Sequence, residues 1–342
     1  MKKVLLGLSG GVDSTVAALL LQEQGYDVVG VYMVMHNLKE LNDANIQKAK
    51  KVAKYLDIPF YVHNIEDSFK DEVYDYFVDS YKKGLTPNPC VVCNRKIKFG
   101  KMVEFADSMN INYIATGHYV RAKDGFIYKG LDNYKDQSYF LAEVDKEVIN
   151  RAIFPLGSWV KDDVKKYATN VPILQEIAKQ KESSEICFVE DSYIDILQEH
   201  IETNLQGVVK DLDGNEVGHH KGFMHYTIGK RRGFFVKGAH DPHYVVDIDA
   251  NSNTIVVGKK DDLANTTIVI SNINLFIDSN DFNANIKVRY RTSGVDGSVK
   301  IDKNIGIIEL KEPVYGVAKG QFAVFYDNDK LLGGGEIIDI ID

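Results

Sequence analysis

The sequence predicts an α/β protein in which an N-terminal Rossmann-like parallel-sheet domain precedes two small β-rich modules. Over residues 1–195, apolar runs alternate with amphipathic stretches, a pattern typical of strands joined by helices in a parallel sheet. Beyond residue 205, short β-type runs separated by turn signals replace that pattern. A glycine-rich turn at 7–14 joins the first apolar run to the first helical one. The expected domains are 1–200, a central β-rich domain at 201–265 and a β-barrel at 266–342.

Each element is predicted from its local pattern. Phe69, Val73, Phe77 and Tyr81 recur at the i, i+4 spacing of a helix face. The expected helices cover Val16–Leu21, Ala44–Tyr55, Phe69–Tyr81 and Phe99–Met109. The expected strands of the first domain are Val4–Leu8, Val28–Val34, Phe60–His63 and Tyr113–Thr116. In the second half, residues 207–215 are expected to form a strand and a turn. The further β-type runs are Tyr244–Ile248, Thr254–Val257, Thr267–Ile270, Ile286–Tyr290, Ile305–Leu310 and Gln321–Tyr326.

Composition narrows the class of protein. With 342 residues and 44% hydrophobic residues, the chain has enough apolar material for two or three packed domains. No apolar run reaches the roughly 18 residues that span a membrane, and the N-terminus lacks a signal-peptide pattern. A cytoplasmic protein without a membrane partner is therefore expected. Its 3 cysteines do not make a disulfide framework, so each is reactive, metal-binding or merely buried.

Charge leaves the choice of partner open. The net charge of −8 argues mildly against nucleic acid. The stretch 221–237, however, carries five cations and no acidic residue, namely Lys221, Lys230, Arg231, Arg232 and Lys237. Such a stretch is either a solvated charged face or a surface for a polyanion.

The glycine-rich turn predicts an anion site. Glycines let the backbone approach a ligand closely, and a helix start presents unpaired N–H groups and a partial positive charge. Ser9 and Ser14 add hydroxyl donors, whereas Asp13 would repel a phosphate unless a metal ion or a backbone cap takes its charge. No lysine follows the glycines, so the turn is not a Walker P-loop. Its sequence, Ser-Gly-Gly-Val-Asp-Ser, resembles the pyrophosphate loop (PP-loop) of ATP pyrophosphatases; a simple capped turn is the alternative.

Two cysteine segments are candidates for nucleophilic chemistry. Prolines stiffen the segment 86–94, and Cys93 is expected just before a helix whose first turn is basic, a setting that favours a thiolate. A four-cysteine zinc site is excluded because there is no second Cys-x-x-Cys. Cys187 follows a polar run and is expected to be exposed. Buried, inert thiols are the alternative for both segments.

Two further segments follow the strands of the first domain. Ala115–Tyr119 ends a predicted strand at the sheet edge that carries the glycine turn, so Gly117 would allow a nucleotide to approach and His118 could donate to it. A lone histidine is more often a satisfied structural residue. The polar loop Lys135–Tyr139 could touch an anionic substrate.

Taken in order, these motifs resemble the bacterial tRNA-specific 2-thiouridylase (MnmA) family within the PP-loop ATP pyrophosphatases. The resemblance rests on the glycine loop, Thr-Pro-Asn-Pro-x-x-x-Cys-Asn, Ala-Thr-Gly-His-Tyr, Lys-Asp-Gln-Ser-Tyr-Phe-Leu, Ser-x-x-Ile-Cys-Phe, Tyr-Thr-Ile-Gly-Lys-Arg and Leu-Gly-Gly-Gly, and extends from Gly7 to Gly335. It implies a sulfurtransferase that adenylates the 2-carbonyl oxygen of the wobble uridine (position 34) of tRNA with ATP and then replaces that oxygen with sulfur.

The resemblance also implies which residues act. The ATP-binding residues would be Gly7, Leu8, Ser9, Gly10, Gly11, Val12, Asp13, Ser14, Met33 and Gly117. Cys187 would carry the persulfide, and Cys93 would be the nucleophile that releases its sulfur, through a disulfide with Cys187 or as hydrosulfide. The target base and tRNA would meet Asn88, Pro89, Cys90, His118, Lys135, Asp136, Gln137, Arg289, Tyr290 and Gln321.

The implied partners are wobble-uridine tRNAs such as those for Lys, Glu and Gln, and a persulfide donor that is either a cysteine desulfurase or a relay protein. Mg²⁺ is expected with ATP because the phosphates need charge neutralisation. In the anticodon loop, taking the base out of its stack costs only a few kcal/mol.

One departure from the family opens a second route. The family usually has Asp where this chain has Cys90. Cys90, Cys93 and Cys187 could therefore hold an iron–sulfur cluster with an open site for hydrosulfide.

Two rival functions stay open at this point. Another ATP pyrophosphatase acting on a small acid or amide would need the glycine loop but neither cysteine segment. A non-catalytic tRNA-binding or sulfur-carrier protein would keep the fold without hydrolysing ATP.

Overall fold

The structure, a computed structural model, describes residues 2–177, 186–189, 192–238 and 240–341. Backbone contacts divide the chain into two compact units. The first unit consists of Met1–Val73, Cys90–Ser184 and Asn328–Leu332. The second unit consists of Tyr74–Pro89, Glu185–Asp327 and Gly333–Asp342. Each unit thus joins segments that are far apart in the sequence.

Strands occur along the whole chain. Those before residue 200 are β1 (Lys3–Gly7), β2 (Asp27–Val34), β3 (Phe60–Asn64), β4 (Tyr113–Ala115), β5 (Val120–Lys123), β6 (Phe126–Lys129) and β7 (Ala152–Ile153). Those after it are β8 (Gly207–Lys210), β9 (Glu216–His220), β10 (Phe234–Val236), β11 (Tyr244–Asp249), β12 (Thr254–Gly258), β13 (Ala264–Leu275), β14 (Asp281–Lys287), β15 (Val295–Asp302), β16 (Ile305–Tyr315), β17 (Phe322–Asp327) and β18 (Lys330–Ile341).

The α-helices of the described residues lie before residue 200. They are α1 (Val12–Glu23), α2 (Lys39–Leu56), α3 (Glu66–Phe69), α4 (Asp75–Lys82), α5 (Pro89–Cys93), α6 (Met102–Ser108), α7 (Lys146–Ile149), α8 (Lys161–Thr169), α9 (Leu174–Ile177) and α10 (Tyr193–Gln198). π-Helical segments occur at Lys70–Tyr74 and Asn94–Lys101. Short 3₁₀ turns occur at Ser138–Leu141, Phe223–His225 and Asp261–Leu263.

The first unit is built on a parallel sheet of order β3-β2-β1-β4-β7. Val4, Leu5 and Leu6 of β1 are all fully buried, so both faces of this central strand are covered. Val16 of α1 and Val52 of α2 belong to the same apolar cluster as Val4 and Leu6. The carboxyl end of β1, where ligands bind in such sheets, is the glycine-rich turn.

The second unit holds two β structures. In residues 207–258, the sheet order is β10-β9-β8-β12-β11, and its core contains Val209, Tyr226, Val245 and Ile255. In the later residues, the order β13-β16-β15-β14-β17-β18 closes on itself because β13 also pairs with β18. Closure gives an antiparallel barrel whose strands leave no open edge.

The predicted α/β class with two β-rich modules is confirmed, and the differences are local. The strand expected at Ile286–Tyr290 ends at Lys287, so Arg289 and Tyr290 lie in the bend and turn that follow β14. Strands β5, β6, β7, β9, β10, β15 and β18 have no counterpart in the sequence prediction. No helix among the described residues is both long and apolar enough to cross a membrane.

Candidate functional site: a glycine loop at the start of the first helix

Gly10 gives the glycine loop its shape. It has φ +77°, a left-handed conformation that suits glycine, and an added Cβ would lie 2.8 Å from the Ala49 nitrogen of α2. Ser9 and Ser14 then hold the loop from within: the Ser9 N–H donates to Ser14 Oγ at 3.3 Å, and their hydroxyl oxygens lie 3.1 Å apart. These contacts within the protein therefore fix the shape of the loop.

The start of α1 fits an anion. Its N-cap residue is Gly11, and no side chain caps the helix start. The first N–H groups of a helix lack intrahelical acceptors and carry the positive end of its dipole. Met33, half-buried on the neighbouring β2, lies one strand away from this loop. The arrangement can bind a phosphate chain through backbone N–H groups.

Asp13 is paired with a lysine, a partner that the sequence-based expectation of a metal ion or a backbone cap did not include. Lys161 Nζ lies 2.7 Å from both carboxylate oxygens, and the Tyr119 hydroxyl donates to Oδ1 at 2.7 Å. The Lys161 side chain is only 9% exposed, and its backbone N–H donates to Asp132 at 2.9 Å. Because this ion pair cancels the charge of Asp13, phosphate can approach α1 without repulsion.

Lys161 and Tyr119 were not identified from the sequence as partners of Asp13. Lys161 is 148 residues away from Asp13 and begins α8, so no spacing rule connects the two. The only sign in the sequence that Asp13 needs a partner is its position, because it places a carboxylate inside an anion-binding motif.

Gly117 lies where the segment after β4 meets α1. An added Cβ would lie 3.2 Å from the Asp13 carbonyl carbon and 3.3 Å from the Ser14 nitrogen. The missing side chain therefore allows close packing of two protein segments. The nucleotide contact expected for Gly117 stays a prediction.

His118 is a buried, neutral side chain. Its Nδ1 shares a 2.7 Å hydrogen bond with Thr116 Oγ1, and its ring lies against those of Phe99 and Phe154. Burial, with a smaller contribution from Lys98, lowers the pKa of His118 to about 3. At neutral pH it brings no positive charge to an RNA.

The loop after β6 uses its polar side chains locally. Asp136 accepts hydrogen bonds from the backbone N–H groups of Gly130 and Ser138, and Gln137 Oε1 accepts from the Tyr119 N–H at 3.0 Å. Lys135 is half-buried beside them. Asp136 and Gln137 therefore shape the loop, and their contact with tRNA stays a prediction.

Gln321 anchors the proline segment of the second unit. Its Nε2 donates to the Thr86 and Pro87 carbonyls at 2.8 and 3.2 Å. The Thr86 N–H in turn donates to the Lys319 carbonyl at 2.9 Å. Gly320, with φ +89°, would place a Cβ 3.3 Å from the Thr86 backbone. The residues just before β17 thus set the path of the chain into Asn88 and Pro89.

The other tRNA-facing candidates of the second unit follow β14. Arg289 donates to the Ile228 carbonyl at 3.1 Å and so connects the barrel to the preceding β module. Lys287 Nζ lies 5.8 Å from the centre of the Tyr290 ring.

Cys93 lies within a continuous helical stretch that begins at Pro89, so the argument that a helix N-terminus activates its thiol is wrong. Pro89 starts α5, Cys93 ends it, and the π-helical segment from Asn94 follows directly. Proline suits this first helical position because its ring presets φ and it has no N–H to leave unpaired. Cys93 is 4% exposed, and Cys90 is half-buried.

Of the cations expected to act on Cys93, which are Arg95, Lys96 and Lys98, two have carboxylate partners. Arg95 pairs with Glu143 at 3.2 Å, and Lys96 pairs with Glu72 at 3.6 Å. These ion pairs therefore reduce the stabilisation that the two positive charges could give to a Cys93 thiolate.

Cys187 is exposed, as its polar surroundings predict. Its neighbour Phe188 is buried, and the Phe188 ring lies 5.4 Å from that of Phe77 and 5.9 Å from that of Tyr74. These aromatic contacts fix the backbone beside Cys187 within the second unit. The polar residues 179–184 that precede it lie outside the described residues, and Cys93 belongs to the first unit.

Within residues 2–177, 186–189, 192–238 and 240–341, no three His, Cys, Asp or Glu side chains form a group suited to a metal ion. An ATP phosphate chain fits the uncapped helix start.

Three family models cover nearly the whole chain. A tRNA methyl transferase HUP domain matches residues 2–191, and a tRNA methyl transferase PRC-barrel domain matches residues 194–259. An aminomethyltransferase beta-barrel domain matches residues 265–337. The fold and the phosphate loop thus define a HUP-domain protein extended by two β modules.

Curated relatives match over their full length. A "tRNA-specific 2-thiouridylase MnmA" of a Nitratiruptor species is 52% identical, covering 98% of this chain and 99% of that protein. Proteins of the same name from Campylobacter lari and Sulfurimonas denitrificans are 50% identical, covering 98% and 99% of this chain and 99% of each relative. The chain belongs to the tRNA-specific 2-thiouridylase family.

A solved 4-thiouridine synthetase–RNA complex with bound ATP is similar over 55% of this chain and 45% of that chain, with 18% identity and a TM-score of 0.37.

The two central glycines of the loop should differ in their tolerance of a side chain. Gly10→Ala should lower the free energy of unfolding by at least about 2 kcal/mol, because strain at positive φ adds to the clash with α2. Gly11→Ala should cost under about 1 kcal/mol, since Gly11 has φ −84° and its nearest neighbour is Ser9 Oγ at 3.5 Å. Urea unfolding measures both, and equal losses would contradict the assignment.

His118 should make stability depend on pH. Its folded pKa of about 3 lies below the value of about 6.5 expected when unfolded. Below pH 6.5 this histidine is protonated in the unfolded chain but stays neutral in the folded chain. The free energy of unfolding therefore decreases as the pH falls towards 3. The expected slope is up to about 1.4 kcal/mol per pH unit.

His118→Asn should remove that slope in urea unfolding between pH 4 and 7, whereas the control His240→Asn, at an exposed histidine, should keep it. The same pH dependence in wild type and His118→Asn would show that His118 titrates normally.

Proposed function

We propose that this protein catalyses the ATP-dependent 2-thiolation of the wobble uridine of tRNA. The observation that carries the proposal is the uncapped, glycine-shaped helix start beside an Asp13 whose charge Lys161 cancels. It is supported by full-length similarity to proteins named tRNA-specific 2-thiouridylase. Such an enzyme is a sulfurtransferase that acts where tRNA is found, in the cytoplasm.

The first step activates a poor electrophile. The 2-carbonyl oxygen of the uridine attacks the α-phosphorus of ATP, giving an adenylated base and releasing pyrophosphate. The loop from Gly7 to Ser14 binds the phosphates through backbone N–H groups, while Met33 and Gly117 border the adenosine. Lys161 keeps the Asp13 carboxylate from repelling the triphosphate. Mg²⁺ bound with ATP would neutralise the remaining phosphate charge.

The second step transfers sulfur. A donor protein converts Cys187 to a persulfide, whose terminal sulfur attacks C2 of the adenylated base. Cys93 then attacks the inner sulfur of Cys187, which forms a Cys93–Cys187 disulfide and leaves the outer sulfur on C2 as AMP departs. Alternatively, Cys93 first frees the outer sulfur as hydrosulfide, which makes the same attack. The exposure of Cys187 suits its encounter with a donor.

The tRNA is proposed to span both units. Asn88, Pro89 and Cys90 would meet the target base, on a segment whose path Gln321 sets. The remaining proposed contacts are His118, Lys135, Asp136, Gln137, Arg289, Tyr290 and Gln321 itself. We take 1–200 as the catalytic part, with 201–265 and 266–342 as RNA-binding parts.

The cysteines should be needed for sulfur transfer but not for adenylation. Cys93→Ser and Cys187→Ser should each abolish 2-thiouridine formation, measured by mass analysis of tRNA nucleosides, while tRNA-dependent pyrophosphate release survives. Cys90→Asp should keep both activities if the persulfide route holds.

Other outcomes identify the rivals. Loss of pyrophosphate release in both serine variants would make these cysteines structural. Pyrophosphate release with a small acid or amide but not with tRNA would indicate another ATP pyrophosphatase. No pyrophosphate release with any of these substrates would indicate a non-catalytic tRNA-binding or sulfur-carrier protein. Iron and sulfide in anaerobically purified protein, lost with activity in Cys90→Asp, would favour the cluster route through Cys90, Cys93 and Cys187.

The Asp13–Lys161 pair should act as one unit in adenylation. Asp13→Ala and Lys161→Met should each lower kcat/KM for tRNA-dependent pyrophosphate release at least about 100-fold, since each leaves a partly buried charge without its partner. The double variant should lose little more than either single variant.

The matched control is Lys166→Met, an exposed lysine of the same helix α8 that pairs with Asp163, and its kcat/KM should stay unchanged. Multiplicative losses in the double variant would mean that Asp13 and Lys161 act independently.

A further inference from the structure

A cleft in the β module at residues 207–258 is not used by the chemistry above. It has a volume of about 430 Å³, and its lining includes Asn204, Gln206, His219, Lys221 and Phe235. All of these residues belong to the second unit. The cleft thus combines aromatic, amide and cationic side chains.

An aromatic pair forms one wall of the cleft. Phe235 of β10 lies directly opposite His219 of β9, and their ring centres are 5.2 Å apart at an angle of 32°. Phe235 is 53% exposed, and His219 is also exposed. A single exposed aromatic is ordinary, but here it is paired and borders a cavity.

The wall is held rigidly from behind. Gly218 has no Cβ where one would lie 1.8 Å from the Phe235 carbonyl oxygen, which lets β10 approach β9 closely. The buried Tyr226 hydroxyl donates to the Gly233 carbonyl just before β10. The Lys237 N–H donates to the Val217 carbonyl at 2.8 Å just after it. The Phe235 ring is therefore displayed by a fixed backbone.

Four cations lie close in the sequence to the strands that form this wall. Lys221, Arg231, Arg232 and Lys237 are exposed, and none of them has an ion pair with any residue that the structure describes. Residues 221–237 contain no Asp or Glu, although the whole chain has a net charge of −8. A local positive patch on an acidic protein selects a polyanion.

We propose that this cleft binds an unstacked nucleotide of the RNA substrate, with Phe235 and His219 stacking on its base and Lys221 and Lys237 contacting the flanking phosphates. Aromatic rings that display a face between cations are the usual means of binding single-stranded nucleic acid. The proposal rests on the proposed function in taking tRNA as the RNA. An acidic protein would use the same cations but has no need of the exposed ring pair.

The test is a titration of the full chain with an in vitro transcribed tRNA carrying uridine at the wobble position, followed by fluorescence anisotropy at several salt concentrations. Phe235→Ala and Phe235→Leu should weaken binding about tenfold or more, and Phe235→Tyr should restore it. Lys221→Gln and Lys237→Gln should each reduce the slope of log Kd against log salt by about one.

Matched controls separate the cleft from general surface effects. Leu212→Ala removes a side chain that is 59% exposed in the same module, and Lys311→Gln removes an exposed cation of β16; both should bind tRNA as wild type does. Urea unfolding of Phe235→Leu at the wild-type midpoint excludes misfolding as the cause of its lost binding, and retained binding by Phe235→Tyr shows that an aromatic ring is what binding requires.

Unchanged tRNA affinity in the Phe235 and lysine variants would overturn the proposal. Unchanged affinity with slower thiolation from a protein sulfur donor, but not from free sulfide, would assign the cleft to an acidic protein and would also overturn it. A different result would contradict the proposed function alone: the wild-type protein would bind tRNA but release no pyrophosphate. Absence of wild-type binding would overturn both.

Discussion

The ion pair between Asp13 and Lys161 is the constraint on which the phosphate loop depends. A carboxylate in the first turn of α1 would otherwise repel the phosphates that the helix start attracts. Lys161 cancels this charge at 2.7 Å, and Tyr119 adds a hydrogen bond to the same carboxylate. The lysine is fixed in turn, because its own N–H donates to Asp132. Charge neutrality at the loop is therefore a property of the folded first unit.

The second unit fixes its proline segment through a comparable set of protein contacts. The Gln321 amide donates to the carbonyls of Thr86 and Pro87, and Gly320 lets the two backbones meet. A residue at this position therefore acts on the geometry of Asn88 whether or not it also touches RNA. His118 and Asp136 repeat this pattern in the first unit, because each is engaged with neighbouring protein atoms. Sequence motifs of this family thus include residues that shape loops.

Much of the fold could be predicted because its signals are local. The apolar run in β1, the amphipathic α2 and the glycine turn between β1 and α1 each lie within a few residues. The glycine-rich β18 was missed because Gly333–Gly335 carries no β-type pattern, and its pairing with β13 and β6 decides its conformation. The helical environment of Cys93 was misjudged because α5 begins at Pro89, inside the proline-stiffened segment 86–94 and before the helix that the sequence predicts.

The sequence by itself determined the α/β class, the anion-binding loop, the exposure of Cys187 and the family, because these follow from short-range patterns and ordered motifs. Only the tertiary structure decided what neutralises Asp13, what Gln321 holds and how Phe235 meets His219. The physical reason is distance along the chain: Asp13 and Lys161 are 148 residues apart, and Gln321 is 235 residues from Thr86. Contacts of that range depend on how strands and helices pack, and no local pattern encodes them.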